Sequence, residues 1–157
     1  MILISHRGNI SGVELEKENT IPFITSAIDK GFNVEIDVWL INGELFLGHD
    51  FPKDKIELVF LHTYKNILWI HCKNIDALDF LKDDFNCFFH DIDDVVLTSN
   101  NFIWTYPGKK LTNKSIAVLP EGKYSNNELI QCLGICSDHI KNYKNEYYSN
   151  KFRESKK

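Results

Sequence analysis

Glu35 and Asp37 stand two residues apart in an apolar run, Asn33–Ile41, that reads as a β-strand. Alternate residues of a strand share a face, so both carboxylates point the same way. Held side by side, the two like charges repel, and a hard divalent cation between them relieves the repulsion. Mg²⁺ or Ca²⁺ is the natural choice for such oxygen ligands. The plainer alternative is an exposed strand face. His6 and His49 bracket the pair along the chain. Imidazole titrates near neutral pH, so these two could give and take protons. Arg7 suits a planar fork onto a phosphate oxygen, or else a salt bridge at the rim of a sheet.

These residues need elements to position them. Met1–Ser5 reads as a buried strand, and Glu18 to Lys30 carries Ile21, Ile24, Ala27 and Ile28 at helical spacing, closed by Gly31. Asn42-Gly43 is a two-residue hairpin turn after Asn33–Ile41, and Glu44–Leu47 returns antiparallel from it. Ile67–Cys72 is a third buried strand, followed by a helical pattern over Asp76–Phe85. Cys87–Phe89, Phe102–Tyr106, Ser115–Leu119 and Cys132–Cys136 supply four more strands. The tail from Lys141 to Lys157 reads as a helix that frays into disorder, leaving 1–140 as one domain. Strands apolar on both faces and separated by helical pieces predict a parallel sheet covered on both sides. Six strand exits carry His6-Arg7, Glu35 and Asp37, His71 and Lys73, His90-Asp91, Glu121 and Asp138. In a parallel sheet those exits gather on one face, where ligands bind.

His6-Arg7-Gly8, Glu18-Asn19-Thr20, Glu35-Ile36-Asp37-Val38 and Gly48-His49-Asp50, in that order, resemble the signature of the glycerophosphodiester phosphodiesterases. That family belongs to the phospholipase C-like phosphodiesterases, which are built on TIM barrels. The resemblance covers the first third of the chain; later, Gly134 to Asp138 resembles the family's closing strand. It implies a metal-dependent phosphodiester hydrolase of lipid metabolism, with a small phosphodiester as substrate. One of His6 and His49 would then serve as general base and the other as general acid, and the attacking group could be the substrate's own neighbouring hydroxyl. Glu18 would be a further metal ligand or a support for Arg7; alone, it could be a carboxylate at a helix start.

Trp69-Ile70-His71-Cys72-Lys73 departs from the family, placing His71 where an acid is usual before the lysine. An imidazole there would soften the site toward Zn²⁺ or Mn²⁺. Alternatively Glu121 supplies the missing acid, or metal binding is weakened. Lys73 could reach a phosphate or cap its strand. His90-Asp91 could back the site or add ligands, and Trp104, Tyr106 and Tyr64 could line a substrate wall or simply fill the core.

With 157 residues the chain suits one domain but falls short of the ~250 of a usual (β/α)8 barrel. The expectation is a truncated barrel of about seven to eight mostly parallel strands, with several helices shortened or missing. Pro107–Lys114 has room only for a turn and Asp91–Asn101 for one or two helical turns. Missing helices would expose apolar sheet surface, which predicts a homodimer. A net charge of -4 argues against a nucleic-acid platform. No apolar run approaches the ~20 residues of a membrane span. Met1–Ile4 is too short for a signal peptide, and the four cysteines contain no CxxC pair, so a cytoplasmic protein with reduced thiols is expected.

Overall fold

The computed structural model describes residues 1–146, whose ten strands belong to a single sheet. Three segments have the bounds of strands at the front of the chain: β1 (Ile2–His6), β2 (Asn33–Ile41) and β3 (Glu44–Leu47). Next come β4 (Asp54–Ile56), β5 (Leu68–Cys72), β6 (Cys87–Phe88) and β7 (Val95–Leu97). The last three are β8 (Ile103–Thr105), β9 (Ser115–Val118) and β10 (Gly134–Ser137). Four helices intervene: α1 (Ile21–Asp29), α2 (Leu58–Thr63), α3 (Ile75–Leu81) and α4 (Asn126–Gln131). Residues 140–146 are also helical, and the rest of the predicted tail lies outside the described residues.

Seven strands run parallel in the order β6-β5-β2-β1-β10-β9-β8. They are the seven apolar runs read from the sequence. β7 joins β8 antiparallel, and β3 and β4 form an antiparallel extension from the far half of β2. The sheet curls into a half-barrel. Between β6 and β8 no ladder forms; instead Ser99 donates its N–H to the Cys87 carbonyl and accepts the Cys87 N–H on its hydroxyl, both at 2.9 Å. Aromatic rings close this seam: Trp104 lies 4.7 Å from Phe88 and 5.8 Å from Trp69, centroid to centroid.

The period of two along each strand sorts its residues into two cores. Val34, Ile36 and Val38 of β2 and Leu68, Ile70 and Cys72 of β5 face outward to helices, against Ile24, Ala27, Ala77 and Leu81. Ile4, Trp69, Phe88, Trp104, Ile116, Val118 and Cys136 face inward and fill the concave side. At Gly134 a Cβ would lie 2.7 Å from the Ile2 carbonyl oxygen and 2.8 Å from Ile116 Cδ1, so β10 can sit this close to β1 only with glycine there.

Several boundaries differ from the sequence reading. α1 begins at Ile21 because Asn19 takes a left-handed backbone (φ 55°), which no helix can include. Residues 91–101, with room for one or two turns at most, hold strand β7. The hairpin at Asn42-Gly43 forms as read, both residues having positive φ (52° and 81°). All four cysteines are buried and free. No helix of the described residues is long and apolar enough to cross a membrane.

Candidate metal and acid–base site

The inward-facing positions one step beyond the apolar floor carry the polar residues. β1 and β2 align His6 with Glu35, and β2 and β5 align Asp37 with His71. Glu35, Asp37 and His71 are all buried, each offering a ligand atom within 4.8 Å of the others, so the three could hold a metal ion. Glu35 Oε2 is a buried oxygen with no hydrogen-bond partner among the described residues, and its neighbour His6 Nε2 is 3.9 Å away. An orphaned buried carboxylate oxygen is costly unless something positive meets it, and a cation fits that demand. His71 is positioned by its flat stack on Phe88, with centroids 5.2 Å apart and planes 5° from parallel. Burial lowers its pKa, outweighing the hydrogen bond to Asp37, and a neutral imidazole is the form that ligates metal.

The two carboxylates are held in opposite ways. Burial, then the charge of Asp37, pushes Glu35 from 4.5 up to about 7. Burial would also raise Asp37, but the His71 hydrogen bond and the charges of Arg7, His71 and Lys73 hold its carboxyl below the usual range. His71 Nδ1 is 3.0 Å from Asp37 Oδ1, Arg7 Nε is 3.1 Å from Oδ2, and Lys73 Nζ is 3.6 Å from Oδ1. Asn19 clamps the same residue twice, donating from Nδ2 to Oδ2 at 2.8 Å and accepting the Asp37 N–H at 2.9 Å. The left-handed backbone of Asn19 therefore serves this clamp.

Both histidines at the candidate acid–base positions sit against a carboxylate. His6 Nδ1 lies 2.8 Å from Asp138 Oδ1, and Asn9 donates to the same oxygen at 2.8 Å. Burial opposes protonation of His6, yet the Asp138 bond and the Glu35 charge raise its pKa overall. Burial would raise Asp138, but its bond from His6, the His6 charge, the Asn9 bond and the Arg7 charge together lower it. His49 Nδ1 lies 2.7 Å from Asp50 Oδ1 in the loop after β3. Where that loop begins, Gly48 donates its N–H to the Asp37 carbonyl at 3.2 Å, next to the Leu47–Val38 pair of the β2–β3 ladder. His49 is near enough to His71 for its charge to disfavour protonating that ring. Both histidines are held through Nδ1, and the Nε2 of His6 faces Glu35 Oε2 at 3.9 Å.

Gly48 shapes the loop that carries His49. Its φ is 144°, and a Cβ there would fall 2.1 Å from the Phe51 carbonyl oxygen. Gly48→Ala is expected to cost about 1–3 kcal/mol through local strain and to displace His49. A melting temperature unchanged from the native protein would count against this reading of the loop.

Other residues singled out in the sequence land variously. Arg7 contacts Asp37 and Glu18, with Nη1 3.2 Å from Glu18 Oε2. Glu18 also accepts from Asn9 at 2.7 Å, acting as a support and lying outside the group of three ligands. Glu121 is not brought to that group: its carboxylate accepts the Ser137 hydroxyl, and Ser137 follows outward-facing Ile135 by two residues, on the other face of β10. Trp104 is 2 % exposed and belongs to the apolar floor, so it offers no open substrate wall. His90 stacks 4.0 Å from Tyr106 and 5.1 Å from His71, beside the site; burial, then the charges of His71 and Lys73, lower it to about 4. Tyr64 packs against the outer core, 5.3 Å from Phe60. Asn9 and Asp50 were missed as supports of the histidines; a polar residue within three positions of each histidine was the available signal. No family model, curated protein or solved structure matches this chain.

Proposed function

We propose that the chain is a short, divergent phosphodiesterase of the glycerophosphodiester type, built on a truncated TIM-type barrel. The observation that carries this reading is the pairing of two carboxylate-oriented histidines with one buried Glu/Asp/His group on the concave face. A pure binding site has no need of two such imidazoles.

Glu35, Asp37 and His71 would hold the metal, with Mg²⁺ or Ca²⁺ favoured by the two carboxylates and Mn²⁺ or Zn²⁺ by the imidazole. When bound, the ion would neutralise charge growing on the phosphate's nonbridging oxygens. The chain's own groups do the rest. Asp138 fixes the His6 ring so that Nε2 can take a proton from the attacking hydroxyl, and the raised pKa of His6 suits it to hold that proton. His49, held at Nδ1 by Asp50, would return a proton to the leaving alkoxide. Asn19, Arg7 and Lys73 keep Asp37 ionised and in place. A small phosphodiester is the substrate class, and a cytoplasmic setting is in keeping with the free thiols.

Hydrolysis of glycerophosphodiesters and of a chromogenic bis-ester tests the proposal, with Mg²⁺, Ca²⁺, Mn²⁺ or EDTA. Activity is expected with a metal and lost in EDTA, and His6→Ala or His49→Ala should each lower it by about 10²–10⁴-fold. No activity in any condition, or activity indifferent to both substitutions, would sink it.

One feature favours a second reading, a non-hydrolytic binder of a phosphorylated polyol or sugar. Arg7 and Lys73 already offset the Asp37 charge without an ion. Phosphate-ester binding that survives EDTA, without turnover, would select it.

A further inference from the structure

The opposite end of the sheet, where the parallel strands begin, carries a cleft of about 430 Å³. Four amides line it, from Asn33, Asn66, Asn86 and Asn100, around the rings of Trp69 and Phe102. Asn86 is only 6 % exposed, yet its Oδ1 accepts no hydrogen bond among the described residues. A buried amide oxygen left unpaired costs about 1–3 kcal/mol, so a donor in the cleft that met it through a small turn of the Asn86 side chain would relieve it. The aromatic side is rigid: Trp69 packs 4.8 Å from Phe102 and donates its Nε1–H to Asn33 Oδ1 at 3.2 Å. Charges at the rim are paired internally, Lys65 with Asp84 at 3.9 Å and Lys82 with Asp83 at 3.4 Å. What remains is a set of neutral donors and acceptors beside an aromatic edge.

That set suits a ligand rich in hydroxyls. A carboxamide presents a donor and an acceptor side by side, as adjacent hydroxyls do, and the C–H face of a sugar packs on aromatic carbon. An anion would meet offset cations, and a purely apolar ligand would leave the amides unpaired. We propose that this cleft binds a neutral polyhydroxylated ligand, a sugar or a sugar alcohol. It is a second site, separate from the acidic group at the other end of the strands and independent of whether that group hydrolyses anything. Its walls come from β2, β5, the segment before β6 and the segment before β8, so an occupant ties together the two edges that meet at the seam.

Glucose, sorbitol and maltose serve as probes, by calorimetric titration and by thermal melting of the full chain. At least one is expected to bind saturably and to raise the melting temperature. Asn86→Ala should weaken that binding roughly ten-fold or more. Asn100→Ala, an exposed position whose loss leaves packing alone, should weaken it too, and it decides the matter if Asn86→Ala does not fold. His49→Ala, at the far end, should bind as the native chain does. The proposal is overturned if none of the three probes binds. It is equally overturned if binding is untouched by the asparagine substitutions or abolished by His49→Ala.

Discussion

Glu35→Gln is expected to melt higher than the native chain at pH 8 in EDTA, by about 5–10 °C. Removing a charge from a site rarely stabilises a protein, but this carboxylate is buried, and burial with the Asp37 charge raises it from 4.5 to about 7. The native state therefore holds a proton that the unfolded chain has released. Stability attributable to Glu35 begins to fall as pH rises past 4.5, and the loss is complete above about 7. A difference of that size corresponds to about 3 kcal/mol. Glutamine keeps the shape and never ionises, so the gap between variant and native should be absent at pH 4, widen to pH 7, and then level off. The comparison must be variant against native at each pH. His90, lowered to about 4, contributes the opposite slope, since its neutral native form gains stability as pH climbs from 4 toward 6.5. Adding Mg²⁺ or Mn²⁺ should then raise the native melting temperature and leave Glu35→Gln nearly where it was. A variant less stable than the native chain at pH 8 in EDTA would show that Glu35 is already satisfied, and the metal assignment would lose its main support.

Asp37→Ala should do the reverse and destabilise the fold by about 3–5 kcal/mol, with or without metal. Arg7, Lys73 and His71 all converge on this carboxylate, and Asn19 grips it through two hydrogen bonds. Taking the anion away leaves two cations facing each other across a buried gap and an amide with nothing to hold. Asn19→Ala, which removes only the clamp, should cost less, about 1–3 kcal/mol. Chemical denaturation measures all three variants on one scale. If Asp37→Ala unfolds at the native midpoint, the convergence of cations on this residue carries no energy and the account of the site is wrong. Two carboxylates two residues apart on one face of one strand are thus expected to move stability in opposite directions.

That contrast marks where sequence reading stops. The shared face of Glu35 and Asp37 follows from the period of a strand, and the seven parallel strands follow from apolar runs whose ends are polar. What separates the two acids is which cations reach them, and those arrive from the loop after β1 and from β5. Contacts across 30 or more residues leave no local trace. Asn19 reads as a helix residue because its neighbours are apolar at helical spacing; its left-handed backbone is dictated by the bonds it makes to β2. Glu121 misled for a related reason. It stands at a strand exit, but the alternation of β10 turns its partner Ser137 to the outer face. α4 was legible and passed over: Ser125 and Glu128 form a reciprocal capping box, whose serine-to-glutamate spacing is visible in the sequence. β4 and β7, of three residues each, are too short for any periodicity to declare them.

The seam between β6 and β8 has a consequence for how the molecule breathes. β2 is hydrogen-bonded on both sides, to β1 and β5, and its far half to β3. β6 has two residues and β7 three, and Val95 and Leu97 stand exposed on β7. Amide exchange should therefore be graded across the sheet. Amides of β6 and β7 would exchange early through local opening, and those of Val34 to Val38 only through global unfolding. The acids ride on the slowest-exchanging strand, so the half-barrel can part along its seam while Glu35 and Asp37 keep their places.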